Sequence, residues 1–136
     1  MMTSKKLHIC IIDDDRIYQF AARKTIERTG LAETISPFLN GEEAINYLKK
    51  RIADQTGLPD YIFLDINMPV MNGWQFLEEY QAIPEKHRSQ SKIYMVSSSV
   101  SDYDINRSKE FEVVSGYIIK PVPTEKFREI LSSDFS

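Results

Sequence analysis

The chain has 136 residues, 42% of them apolar, enough for one hydrophobic core and too few for two ordinary domains. A formal net charge of −3 and a pI near 5.4, with no block of Lys and Arg, argue against a nucleic-acid footprint. Cys10 is the one cysteine, which excludes an intrachain disulfide and a thiolate metal cage, and the first apolar run is too short for a signal-peptide core or a membrane span. The expectation is a cytoplasmic protein that contacts neither membrane nor nucleic acid directly.

Leu7 to Ile12 is an apolar run that predicts the first strand, closed by Asp13, Asp14 and Asp15. A helix follows from about Arg16 to near Gly30, with Ile17, Phe20, Ala21 and Ile26 as its apolar positions. Thr34 to Phe38 alternates and contains Pro37, so it is placed as a second strand at a sheet edge. Asn40-Gly41 turns the chain into a second helix with the stripe Ala44, Ile45, Leu48 and Ile52. Tyr61 to Leu64, four consecutive apolar residues, predicts a third strand buried on both faces and ending at Asp65.

The loop from Ile66 to Gly73 leads to a third helix carrying Phe76, Leu77, Tyr80 and Ile83, which Pro84 closes. Glu85 to Ser91 reads as loop, and Ile93 to Val96 as a fourth strand that runs into Ser97-Ser98-Ser99. The next helix, about Asp102 to Phe111, has few apolar positions besides Ile105 and Phe111, so its outer face is solvated or awaits a partner. Tyr117 to Ile119 is a fifth strand before Lys120-Pro121, and Thr124 to Ser132 a last helix packed through Phe127, Ile130 and Leu131. Strands alternating with helices in this way describe an α/β fold around a mostly parallel sheet.

In parallel strands joined by right-handed crossovers, the residues just past each strand share one rim, where open α/β sheets bind ligands. Here that rim carries Asp13, Asp14, Asp65, Ser97 and Lys120. Crowded carboxylates suit a hard divalent cation, a hydroxyl can donate to an oxyanion, and a lysine can neutralise a phosphoryl oxygen. These are the parts that phosphoryl transfer uses.

Four blocks in order, Ile11-Ile12-Asp13-Asp14-Asp15, Phe63 to Gly73, Met95-Val96-Ser97-Ser98 and Gly116-Tyr117-Ile118-Ile119-Lys120-Pro121, resemble the receiver domain of two-component response regulators, of the stand-alone chemotaxis-regulator kind. The resemblance runs from Leu7 to Leu131 and implies a flavodoxin-like (βα)5 three-layer sandwich with five parallel strands in order 2-1-3-4-5. It implies one receiver domain over residues 1–136, with its core at about 6–132 and no output domain. Asp65 then corresponds to the phosphoacceptor, with Asp14, Asp65 and the Asn67 backbone carbonyl as Mg²⁺ ligands and Asp13 acting from a second shell or through water. Ser97 matches the switch hydroxyl, Lys120 the phosphate-pairing lysine and Tyr117 the aromatic that changes rotamer on activation.

The function so implied is acceptance of a phosphoryl group from the phosphohistidine of a sensor histidine kinase or histidine phosphotransfer protein, followed by self-catalysed hydrolysis. The chain would be a regulator rather than an enzyme. Its readout to a downstream protein target would use the helix after strand four, strand five and the last helix. Asn67 and Ser99 hold the positions that tune hydrolysis in the family, and Phe111 to Ser115 lacks the small-residue step often found before strand five.

Other readings use the same residues differently. Asp15 suits a helix cap, Ser97 a local backbone bond, Tyr117 static core and Trp74 packing. His8 and His87 have no second imidazole or thiolate at ligand spacing. A phosphatase of the haloacid-dehalogenase type would use Asp13 as nucleophile and Asp15 as acid/base, but leaves Asp65 without a role and needs an acidic pair after its lysine. A flavin binder would place a phosphate loop where three aspartates stand.

Overall fold

The computed structural model describes residues 6–132. Five parallel strands form one sheet in the order β2-β1-β3-β4-β5, with β1 at Leu7–Ile12, β2 at Ala32–Phe38, β3 at Tyr61–Leu64, β4 at Lys92–Ser97 and β5 at Val114–Ile119. The helices are α1 (Arg16–Glu27), α2 (Gly41–Ala53), α3 (Gly73–Gln81), α4 (Glu85–Arg88), α5 (Asp102–Ser108) and α6 (Thr124–Ser132). This is the flavodoxin-like order. Among the described residues no helix is long and apolar enough to cross a membrane.

Strand alternation divides the core. Cys10, Ile12, Ile62 and Leu64 point to the face covered by α2 and α3, where they meet Ala44, Leu48, Phe76 and Leu77. Leu7, Ile9, Ile11 and Phe63 point to the opposite face and pack on Ala22 and Ile26 of α1 and on Phe127 and Leu131 of α6. The sheet is thus covered on both sides, which is why β1 and β3 read as unbroken apolar runs. β2, with Pro37, lies at an edge as its sequence requires.

Several boundaries differ from the sequence reading. The side chains that α1 buries are Gln19, Ala22 and Ile26, whereas Ile17 and Phe20 stand 83% and 65% exposed. Asp15 caps the helix, accepting from the Ile17 and Tyr18 amides, and the face that packs on the sheet carries Gln19. There Gln19 Nε2 donates to the carbonyls of Ile11, Asp13 and Phe38, so a polar residue occupies a place that an apolar stripe could not reveal. The helix ends at Glu27, and Gly30 follows at φ +72° to turn the chain.

Glu85 to Arg88, read as loop, forms a short helix entered through Pro84 and fastened by Arg88 Nε donating to the Ile83 carbonyl at 2.7 Å. α5 stops at Ser108, three residues before Phe111, which leaves the helix to stack on Trp74. β5 begins at Val114, through Ser115 and Gly116, because backbone pairing with β4 extends beyond the apolar run. Gly116 allows this: a Cβ there would meet the Tyr94 ring at 3.1 Å.

Candidate functional site at the carboxyl edge of the sheet

Register builds the site. Ile12 of β1 pairs with Leu64 of β3, so Asp13 and Asp65 emerge side by side, tied by the Asp65 amide donating to the Ile12 carbonyl at 2.9 Å. The Asp13 amide is held by the Phe38 carbonyl of β2. On the other flank Ser97 of β4 pairs with Ile119 of β5, and the Lys120 amide donates to the Ser97 carbonyl at 2.9 Å. Four strand ends therefore deliver the acids, the hydroxyl and the lysine to one edge.

Carboxylate oxygens of Asp13, Asp14 and Asp65 all lie within 4.8 Å of one another. Asp13 and Asp65 are only 2% and 8% exposed, while Asp14 faces solvent. Lys120 reaches over them, its Nζ 2.6 Å from Asp13 Oδ2 and 3.7 Å from Asp65 Oδ1. Asp13 Oδ1 accepts the Asp15 amide. Burial first, then the Asp13 charge, push the Asp65 carboxyl up to about 6, with a smaller push from Asp14; Lys120 and the Ile66 amide oppose the rise. One ammonium thus leaves excess negative charge, which a hard cation with oxygen ligands would offset. The donor set fits such an ion: three carboxylates and no imidazole or thiolate.

Ser97 is 2% exposed, and its Oγ accepts from the Ser99 amide at 3.0 Å, the local bond expected of a serine at a strand end. That bond occupies a lone pair and leaves the hydroxyl proton free to be donated. Tyr117 lies half-buried, its hydroxyl donating to the Ser99 carbonyl at 2.9 Å. Asn67 sits exposed two residues beyond Asp65. Asp15 is committed to the α1 cap and Asp13 to Lys120, an arrangement that leaves the haloacid-dehalogenase pairing of nucleophile and acid/base without its second member. His8 bonds Ser36 and Tyr47 away from the acids, and Trp74 packs on Phe111.

Two supporting residues, Tyr18 and Gln19, escaped the sequence reading, and the close contact made by a third, Gly73, could not be read from it. Tyr18 lies under Lys120, with Nζ 4.2 Å from its ring centre, so the lysine is held by a cation–π contact as well as by charge. Burial, Asp13 and Asp65 all raise the Tyr18 hydroxyl's pKa. Gln19 braces the backbone that carries Asp13. Gly73 lets the loop after β3 fold back on Asp65: its amide donates to the Ile66 carbonyl at 2.7 Å, and a Cβ would fall 2.4 Å from the Asp65 carbonyl oxygen. Within that loop Val70 adopts φ +70°, a costly setting for a β-branched residue, and the Met71 amide bonds the Pro69 carbonyl across it. A glycine beside a turn is visible in sequence, but its close contact is not.

Comparison with known proteins agrees with this geometry. The family model for the response regulator receiver domain matches residues 9–132. A response regulator receiver protein from Dyadobacter fermentans superposes with a TM-score of 0.82 at 30% identity, covering 94% of this chain and 97% of its own. A probable methanogenesis regulatory protein, FilR2, from Methanothrix harundinacea is 26% identical over 126 residues, covering 88% of this chain and 76% of its own length. A protein-glutamate methylesterase/protein-glutamine glutaminase from Desulfotalea psychrophila is 30% identical over 118 residues and 86% of this chain, which spans only 30% of that protein. With its strand order, its acidic edge and a family match over nearly its whole length, the chain belongs to the response regulator receiver domains, the phosphoacceptor signalling modules of two-component systems.

Proposed function

We propose that Asp65 is the phosphoacceptor and that its donor is the phosphohistidine of a sensor histidine kinase or a histidine phosphotransfer protein. The observation that carries this is the meeting of Asp65 with Lys120 and two further carboxylates at the edge where β1, β3 and β5 end. A carboxyl at about 6 is mostly ionised above neutrality, so Asp65 can attack as the anion. One Asp65 oxygen bonds to phosphorus as the P–N bond of the donor breaks. The imidazole leaves with the electron pair and takes up a proton, and the product is an acyl phosphate on Asp65.

Asp14, Asp65 and the Asn67 backbone carbonyl would hold Mg²⁺, with Asp13 acting through water; when bound, the ion supplies positive charge beside the transferring oxygens. Lys120 is placed to exchange its partial contact with Asp65 for a phosphoryl oxygen, and Ser97 has a proton to give to another. The Asp13–Lys120 pair keeps the ammonium over the reacting carboxylate. Movement at Ser97 and Tyr117 would be read on α5, β5 and α6, where α5 buries only Ser108 and leaves Tyr103 71% exposed to a downstream protein. The reading is that of a cytoplasmic regulator whose only chemistry is on itself.

The test is to map the phosphorylated aspartate after incubation with Mg²⁺ and acetyl phosphate. Label on Asp65, absent from Asp65→Asn, is expected. Label on Asp13 would overturn the assignment in favour of the dehalogenase-type alternative.

A further inference from the structure

Ser99 is the crossing point of three elements. Its amide donates to Ser97 Oγ at 3.0 Å, its carbonyl accepts from the Tyr117 hydroxyl at 2.9 Å, and its own hydroxyl donates to Asp104 Oδ2 of α5 at 2.7 Å. The Ser99 hydroxyl also accepts from the Ser101 amide at 3.3 Å, and Ser101 Oγ in turn caps the Asp104 amide. The first two bonds touch the hydroxyl and the aromatic assigned above to the switch. The third runs to a residue to which the sequence assigns no role.

At 2.7 Å the Ser99–Asp104 bond is shorter than the 3.0–3.3 Å serine contacts around it, and it needs only an acceptor oxygen at that place. Asp104 is anchored in the first turn of α5, whose other end is held where the Arg107 guanidinium lies 4.6 Å from the Trp74 ring centre and Phe111 stacks on that ring. We propose that Asp104 is a positioning residue: by accepting from Ser99 it holds the β4–α5 loop so that Ser97 keeps its hydroxyl proton available for a phosphoryl oxygen and Tyr117 stays turned in on the Ser99 carbonyl. Movement of Ser97 is passed through the same bond to the first turn of α5. The inference rests on the reading of Asp65 and Ser97 given above and adds the residue that couples them to the surface helix.

Asp104→Ala removes the acceptor, Asp104→Asn keeps an acceptor oxygen and drops the charge, and Ser99→Ala removes the donor while leaving the backbone bonds to Ser97 and Tyr117. With Mg²⁺ and acetyl phosphate, phosphoprotein formation is expected to slow roughly three- to ten-fold in Asp104→Ala and in Ser99→Ala. Asp104→Asn should stay within roughly two-fold of wild type, and the double variant Ser99→Ala/Asp104→Ala should be no slower than the slower single variant. In the metal-free protein, amide exchange at Ser99 should quicken in Asp104→Ala and return to the wild-type rate in Asp104→Asn. Wild-type rates in a folded Asp104→Ala, an Asp104→Asn as slow as the alanine variant, or additive single effects would each overturn the proposal. Failure of wild type itself to be labelled at Asp65 would instead sink the phosphoacceptor reading, and the exchange experiment would still decide the role of Asp104.

Discussion

Asp65 is destabilising as an anion. Burial and the neighbouring Asp13 raise its carboxyl to about 6, so the folded chain binds a proton there that the unfolded chain has already released. Native protons exceed unfolded ones between the ordinary carboxylate range and about 6, hence stability falls as pH rises through that window and the penalty is complete above it. Asp65→Asn should therefore gain about 1–2 kcal/mol at pH 7, after allowing for solvent screening, and flatten the pH dependence. Urea unfolding at pH 5 and pH 7 checks both. Lys120 acts in the opposite sense, since it is the counter-ion of an Asp13 that is only 2% exposed. Lys120→Ala should cost about 3–5 kcal/mol, the loss expected when a buried carboxylate is left without its partner, and the same unfolding experiment at pH 7 measures it.

Elements place these residues through backbone contacts that leave little room. The loop after β3 returns so closely on Asp65 that Gly73→Ala must move backbone, and we expect a loss of about 2–3 kcal/mol with slower labelling by acetyl phosphate. Thermal melts and phosphorylation rates on the same sample test that link between packing and chemistry. Most strands were legible because burial on both faces makes a run apolar whatever its neighbours do, as in Leu7 to Ile12 and Tyr61 to Leu64. The inner face of α1 was not, because a polar residue holds it: Gln19 Nε2 reaches the carbonyls of Ile11 in β1, Asp13 just past it and Phe38 in β2. Nor were the start of β5 and the helix at Glu85, where backbone hydrogen bonding and a proline entry decide without an apolar pattern.

For the molecule as a whole, binding of a cation at the proposed site would be linked to folding. An ion that binds the assembled Asp13, Asp14 and Asp65 cluster, and not the unfolded chain, must raise the melting temperature in proportion to the logarithm of its concentration. At a hundred times its dissociation constant the gain is about 2.7 kcal/mol. Protons compete for Asp65, so the shift produced by Mg²⁺ should shrink below about pH 6, and Asp14→Ala should reduce it at every pH. Differential scanning calorimetry with and without Mg²⁺ at pH 5 and pH 7.5 checks both statements.

The amino-acid order alone determined that strands would alternate with helices and that acids, a serine and a lysine would stand at the strand ends, since local pattern dictates local structure. It also carried the family likeness in four short blocks. Only the tertiary structure decided which side chains meet. Register brings Asp13 beside Asp65, Tyr18 comes under Lys120 because α1 packs on the same edge, and Ser99 joins Ser97, Tyr117 and Asp104 because β4, β5 and α5 converge there. Asp13 and Asp65, Tyr18 and Lys120, and Ser99 and Tyr117 are far apart in the chain, and hydrogen bonds between polar groups, near or distant, leave no periodic trace by which a sequence could announce them.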